Sequence, residues 1–117
     1  MTSEDMKVRT KKFALSTIRV VRGLEKPEEV RVLTRQLLRA ATSVGANYRS
    51  ACLARSKSEF AARLQIALEE ADESQYWIEL LKEGGFFESE QAESVYREAR
   101  ELTAILMAGV KTARGVR

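Results

Sequence analysis

Six basic side chains in the first third of the sequence have the types and spacing needed to contact a phosphate backbone. They are Lys7, Lys11, Lys12, Arg31, Arg35 and Arg39. The three arginines recur every four residues, so a helix would place their guanidinium groups along one stripe. Such a stripe can follow nucleic-acid phosphates without reading bases. The alternative interpretation is a solvated helix face, or pairing with acidic side chains of the same or a neighbouring subunit.

The distribution of charge supports either interpretation of these cations. The net charge of the 117 residues is only +3, but residues 1–55 carry 12 Lys and Arg against 5 Asp and Glu. Residues 56–117 carry 8 against 12. A split of this kind indicates a basic surface for an anionic partner, or complementary faces that meet in an assembly.

A second polar constellation combines a short amide with a cluster of carboxylates. Ser43 and Asn47 lie one helical turn apart beside an apolar row, and acidic residues cluster at 69–73. Because a buried amide needs hydrogen-bond partners, we predict that Asn47 bonds to Glu70 or Glu73 and fixes the register of two helices. A carboxylate metal centre, or the acid–base pair of a hydrolase, is a less favoured use of the same carboxylates.

Several kinds of catalytic site are excluded by composition. The chain has no histidine and one cysteine, Cys52, which excludes the usual zinc ligand sets, an internal disulfide and a histidine base. No glycine-rich phosphate loop is present, and nothing marks a nucleophile or an oxyanion hole. We therefore predict that the protein is not an enzyme and binds no cofactor or metal.

Aromatic residues supply a different candidate site. Tyr76, Trp77, Phe86 and Phe87 add to an apolar surface that is larger than the core of one small bundle needs. Surplus apolar surface indicates an interface, so we predict a homo-oligomer. These four side chains are also the candidate contact surface for a protein partner, in which case the chain would be a scaffold.

These residues are positioned by four predicted helices. Apolar residues recur at helical period, and the breaks fall at Pro27, at Ser56 and at the pair Gly84–Gly85. The predicted helices cover residues about 3–23, 28–55, 57–83 and 89–113. Short connections favour antiparallel neighbours, so we predict one all-α domain over 1–117, an up-down-up-down four-helix bundle with a frayed tail at 115–117.

The remaining sequence features bear on localisation. No apolar run approaches the ~20 residues of a membrane span, and the first residues lack the apolar core of a signal peptide. We therefore predict a cytoplasmic protein without membrane association.

The middle of the chain carries three motifs in order. A Gln-x-x-Arg-Ala-Ala-x-Ser-x-x-x-Asn pattern occurs over residues 36–47, a basic Ser-rich turn before Glu-Phe occurs at 55–60, and an Ile-Ala pair before acidic positions follows at 66–70. In these motifs the chain resembles the family encoded by intervening sequences in bacterial 23S ribosomal RNA genes, also named the S23 ribosomal protein family. The resemblance covers residues 28–110.

The resemblance implies architecture more than activity. Family members are antiparallel four-helix bundles without an established enzymatic activity, and those of known assembly form closed five-membered rings. A distant relative is a basic pentameric accessory protein of diversity-generating retroelements that is thought to bind nucleic acid. The resemblance therefore implies a ring, a pentamer, with RNA or DNA as a partner. Residues 47–51 and Glu69–Glu70 depart from the common family pattern.

Overall fold

The computed structural model describes residues 1–115 and consists of four long α-helices. They are α1 (Ser3–Arg22), α2 (Glu28–Cys52), α3 (Lys57–Glu83) and α4 (Glu90–Ala113). No strand occurs within residues 1–115, so the prediction of an all-α four-helix protein is confirmed. Helix α2 ends at Cys52, three residues before the predicted end. The part of the predicted tail beyond Gly115 lies outside the described residues.

The helix ends follow from local side chains. Thr2 and Asp5 form a capping box at the start of α1, and Ser56 and Ser89 accept hydrogen bonds from the backbone three residues later. These bonds satisfy N–H groups that a helix start leaves free. After α3, Gly85 has φ of +85°, a left-handed conformation that glycine adopts without steric cost.

The helices run antiparallel around a shared core. Lys82, in the last turn of α3, pairs with Glu93, in the first turn of α4. Gln75, two turns earlier in α3, bonds Thr103, which lies later in α4, as expected for antiparallel helices. Each helix packs against the next one in the chain, and α1 closes the bundle against α4. The molecule measures 45 × 23 × 23 Å. Among the described residues, no helix is long and apolar enough to cross a membrane.

The contact between α1 and α2 depends on a glycine, Gly45. A Cβ atom at Gly45 would lie 3.0 Å from Thr10 Oγ1. The Thr10 hydroxyl is buried and donates to the Met6 carbonyl oxygen at 2.8 Å, so its position is fixed from its own helix. Because Gly45 has no side chain, the backbones of α1 and α2 can approach each other at Thr10. The buried Thr10 hydroxyl needs no partner from α2, since its hydrogen bond is made within α1.

Candidate nucleic-acid interface

Lys7 and Lys11 line a groove between α1 and α2. Arg49 lines the same groove from α2, and Gly45 and Thr42 lie beside it. The groove has a volume of about 510 Å³. Lys7 Nζ lies 3.1 Å from Glu4 Oε1, whereas Lys11 and Arg49 form no ion pair with any described residue. The groove therefore offers unneutralised cations on both of its walls.

Arg31 and Arg35 extend this basic surface along α2. Both side chains belong to exposed residues, and neither has an acidic partner within residues 1–115. Arg49 follows Arg35 by 14 residues, close to four helical turns, so the two lie on the same side of α2. Sequence analysis did not assign Arg49 to the site, although this spacing was the available signal. We call Lys7, Lys11, Arg31, Arg35 and Arg49 the α1–α2 basic face.

Lys12 lies away from this face. It lines the groove between α1 and α4, together with Arg9, Glu98 and Glu101. Arg9 Nε and Nη2 each lie 2.7 Å from a carboxylate oxygen of Glu98, and this bond raises the pKa of Arg9. Because acidic side chains share the groove with Lys12, the structure separates Lys12 from the other predicted phosphate contacts.

Arg39 forms ion pairs with two carboxylates of the same chain. Its Nη1 lies 2.9 Å from Glu70 Oε2, and its Nη2 donates to Glu73. Trp77 Nε1 also donates to Glu73, at 3.1 Å. The hydrogen bond from Arg39 is the main cause that lowers the pKa of Glu73. Arg39 therefore joins α2 to α3, and we leave it out of the α1–α2 basic face.

The predicted bond from Asn47 to Glu70 or Glu73 is wrong. Asn47 Nδ2 donates to the Ser43 carbonyl oxygen of its own helix at 2.8 Å, and Ser43 Oγ donates to the Arg39 carbonyl oxygen. Short polar side chains in a helix readily bond the carbonyl one turn earlier. The longer Arg39 side chain reaches across to both carboxylates and makes the interhelical contact that we assigned to Asn47.

The four predicted interface aromatics occupy different environments. Phe87 is 2% exposed and belongs to the core, so its prediction as an exposed interface residue is wrong. The reason is the turn after α3, where the amides of Phe86 and Phe87 both donate to the Leu81 carbonyl and fold the chain back. Phe86 and Trp77 are half-buried. Tyr76 is 53% exposed and packs edge-on against Trp77, with ring centroids 5.1 Å apart.

The acidic side chains of the described residues do not form a metal site. Across residues 1–115, no group of three or more His, Cys, Asp or Glu side chains is placed to hold a metal ion. Glu70 and Glu73 are both partners of Arg39.

Comparison with known proteins agrees with this architecture. The family model described as 23S rRNA-intervening sequence protein matches residues 4–108, which reach from the first turn of α1 into α4. The chain is also similar to the crystal structure of a protein with unknown function from the S23 ribosomal protein family of Bacteroides thetaiotaomicron VPI-5482. The two share 34% identity with a TM-score of 0.85, over 95% of this chain and 99% of that one. No curated protein matches the chain.

Proposed function

The chain belongs to the 23S rRNA-intervening sequence protein family, and from that premise we propose that it is a non-enzymatic protein that binds RNA or DNA through the α1–α2 basic face. Membership confirms the resemblance seen in the sequence. The similarity to the retroelement accessory protein stays a prediction.

One observation carries the proposal: four cations of the α1–α2 basic face have no acidic partner among residues 1–115. They are Lys11, Arg31, Arg35 and Arg49. Exposed cations on a rigid helical frame displace the counterions that are condensed on a phosphate backbone, and the release of these counterions favours binding. Contacts of this type position a nucleic acid but carry no sequence information. Binding is therefore expected to be tolerant of sequence and strongly dependent on salt.

We further propose that the protein acts as a homo-oligomeric ring, and as a pentamer by its similarity to the family. Support comes from apolar side chains exposed on α2 and α3, where Val32 and Ile66 are 46% and 45% exposed. Contact with a second copy would remove this surface from water. A ring would also repeat the α1–α2 basic face, so that one nucleic acid could bind several copies at once.

The test measures fluorescence anisotropy of labelled RNA and DNA strands of two unrelated sequences over a salt series, with light scattering on the same sample. The charge-reversal variant is Arg35→Glu/Arg49→Glu. The matched control, Arg97→Glu/Lys111→Glu, makes the same charge change on exposed residues of α4.

We expect wild-type binding to fall steeply between about 50 and 200 mM salt. The variant should weaken binding of every sequence by at least about tenfold and reduce the salt slope by about 2, since each phosphate contact contributes roughly 0.9. Absence of binding at low salt, or equal losses in the control, would refute the binding surface. A scattering mass of 13.2 kDa would refute the oligomer.

The second candidate function is a scaffold that binds a protein partner. The observation that favours it is the exposed edge of Tyr76 beside Trp77, because aromatic side chains are enriched in protein interfaces. Tyr76→Ser should abolish partner capture while the scattering mass and nucleic-acid affinity stay unchanged. Capture that survives this change would exclude Tyr76 as the contact.

A further inference from the structure

We propose that one end of the bundle is a binding site for the carboxylate of a fatty-acid-like molecule, with the aliphatic chain inside the bundle end. The site is a cavity at the end where α1 and α3 begin. It shares no residue with the α1–α2 basic face, so it is independent of the proposed function.

The inner wall of this end cavity is apolar. Its volume is about 760 Å³, within the range of small-molecule sites. The wall is formed by Met6, Tyr48, Phe60, Leu64, Ile105 and Leu106. Most of these side chains are buried members of the hydrophobic core. A ligand that enters the cavity therefore meets core side chains and removes apolar surface from water.

Small residues leave the space open. Ala54, Gly109 and Ala113 line the cavity, where larger side chains would fill it. At Gly109, a Cβ atom would lie 3.1 Å from Leu64 Cδ2, so α4 and α3 are already in contact below the cavity. The opening thus lies towards the bundle end, where α2 connects to α3.

The rim of the cavity is positively charged. Arg55 and Lys57 line it on either side of Ser56, the residue that caps α3. Neither side chain forms an ion pair within the part of the chain that the structure describes. The nearby carboxylate of Glu59 is already engaged, because it accepts hydrogen bonds from the Arg63 side chain and the Arg55 backbone.

These features together select the ligand class. Two unpaired cations and the positive end of a 27-residue helix favour an anionic headgroup at the rim. The lining beneath them is mostly apolar, with Tyr48 and Thr112 as its hydroxyl-bearing residues, and at the rim the Ser56 hydroxyl already accepts from Glu59 N. A single-chain carboxylate satisfies both parts, with its headgroup at the rim and its alkyl chain against Phe60 and Leu64.

The test is isothermal titration calorimetry of the full chain with sodium decanoate, and with decan-1-ol as an uncharged analogue of the same chain length. Arg55→Ser/Lys57→Ser removes the rim charge, and Arg22→Ser/Lys26→Ser removes the same charge from exposed residues at the opposite end. Ala113→Trp fills the cavity. Circular dichroism melting of each variant establishes that it is folded.

We expect one decanoate per chain, and binding of decan-1-ol weaker by about tenfold, the loss expected for two exposed charge-assisted contacts. Arg55→Ser/Lys57→Ser should lose affinity for decanoate by a similar factor. Arg22→Ser/Lys26→Ser should bind decanoate as the wild type does, and Ala113→Trp should not bind it. Equal affinity for the acid and the alcohol, or equal losses in both charge variants, would overturn the proposal.

A second copy of the chain is the competing occupant of this end. Leu53, in the adjoining α2–α3 connection, is 82% exposed. If wild-type protein binds no decanoate and Leu53→Ser lowers its light-scattering mass, the end is covered by another copy. That result would overturn the site.

Discussion

The close approach of α1 and α2 at Gly45 predicts that adding one methyl group there destabilises the protein. In an open helix position, Gly→Ala raises the free energy of unfolding by about 1 kcal/mol, because alanine has the higher helix propensity. At Gly45 the new Cβ would lie 3.0 Å from Thr10 Oγ1 and 3.3 Å from Thr10 Cβ. Both distances are shorter than ordinary van der Waals contact.

The size of the effect depends on whether Thr10 can move. Its hydroxyl is held by the Met6 carbonyl at 2.8 Å, and the residue is fully buried, so relief requires a shift of the helices. Overpacking of this kind costs about 1–3 kcal/mol. After the gain in helix propensity is subtracted, we expect Gly45→Ala to lower the free energy of unfolding by about 1 kcal/mol.

Urea unfolding followed by circular dichroism measures this change. Gly109→Ala is the matched control, because its Cβ would meet only the flexible tip of Leu64 at 3.1 Å, and we expect it to be neutral or stabilising. In a Thr10→Ala background the hydroxyl is gone and only the 3.3 Å contact with Cβ stays, so the cost of Gly45→Ala should become smaller than it is in the wild type. If Gly45→Ala stabilises the wild type as much as Gly109→Ala does, the tight contact does not exist and the reasoning is wrong.

Three further predictions concern the core and the ionisable groups. Arg39→Met should lower stability by about 1 kcal/mol at neutral pH. Because Arg39 holds the pKa of Glu73 below its usual 4.5, this contribution is lost as pH falls through the lowered pKa. The urea midpoints of variant and wild type should therefore converge as the pH falls below 4.5, and a constant gap would contradict the pairing. Phe87→Ala should lower the free energy of unfolding by about 3–5 kcal/mol in the same assay. A loss below about 1 kcal/mol is typical of an exposed ring and would contradict the burial of Phe87. Burial raises the pKa of Tyr48 to about 12, so ultraviolet titration should show a phenol that ionises above the usual range and that is absent in Tyr48→Phe. The contribution of the protonated Tyr48 phenol to stability is present below about pH 10 and is lost as pH rises through 12.

The helices could be predicted because their signals are local and repeated. Val30, Leu37 and Val44 recur at helical spacing and are all fully buried, and the serine caps and Gly85 mark ends by their own chemistry. The end of α2 was placed too late because nothing between Cys52 and the cap at Ser56 breaks a helix by itself.

The polar contacts and the turn could not be predicted in the same way. Whether Asn47 bonds its own helix or the next depends on side-chain length and rotamer, and Arg39 reaches the carboxylates from eight residues earlier, about two turns. Phe87 lies outside any helix, so no periodicity indicates its burial. The division of cations between the two grooves depends on which flank of α1 faces which neighbour, since Lys11 and Lys12 are adjacent in sequence but line different grooves.

The joint between α1 and α4 has a consequence for how the bundle opens. It is the least extensive of the four helix contacts, and the Arg9 ion pairs with Glu98 and Glu101 are on its surface. Helix α1 is the first helix of the chain, so only the connection at 23–27 holds it once its contacts with α2 and α4 have separated. Detachment of α1 is thus the least costly partial unfolding, with amide exchange in α1 faster than in α2 and α3. A copy with α1 detached would expose the part of the core that Phe13 fills. The α1 helix of a second copy could pack there instead, and this exchange is the first step of a domain swap.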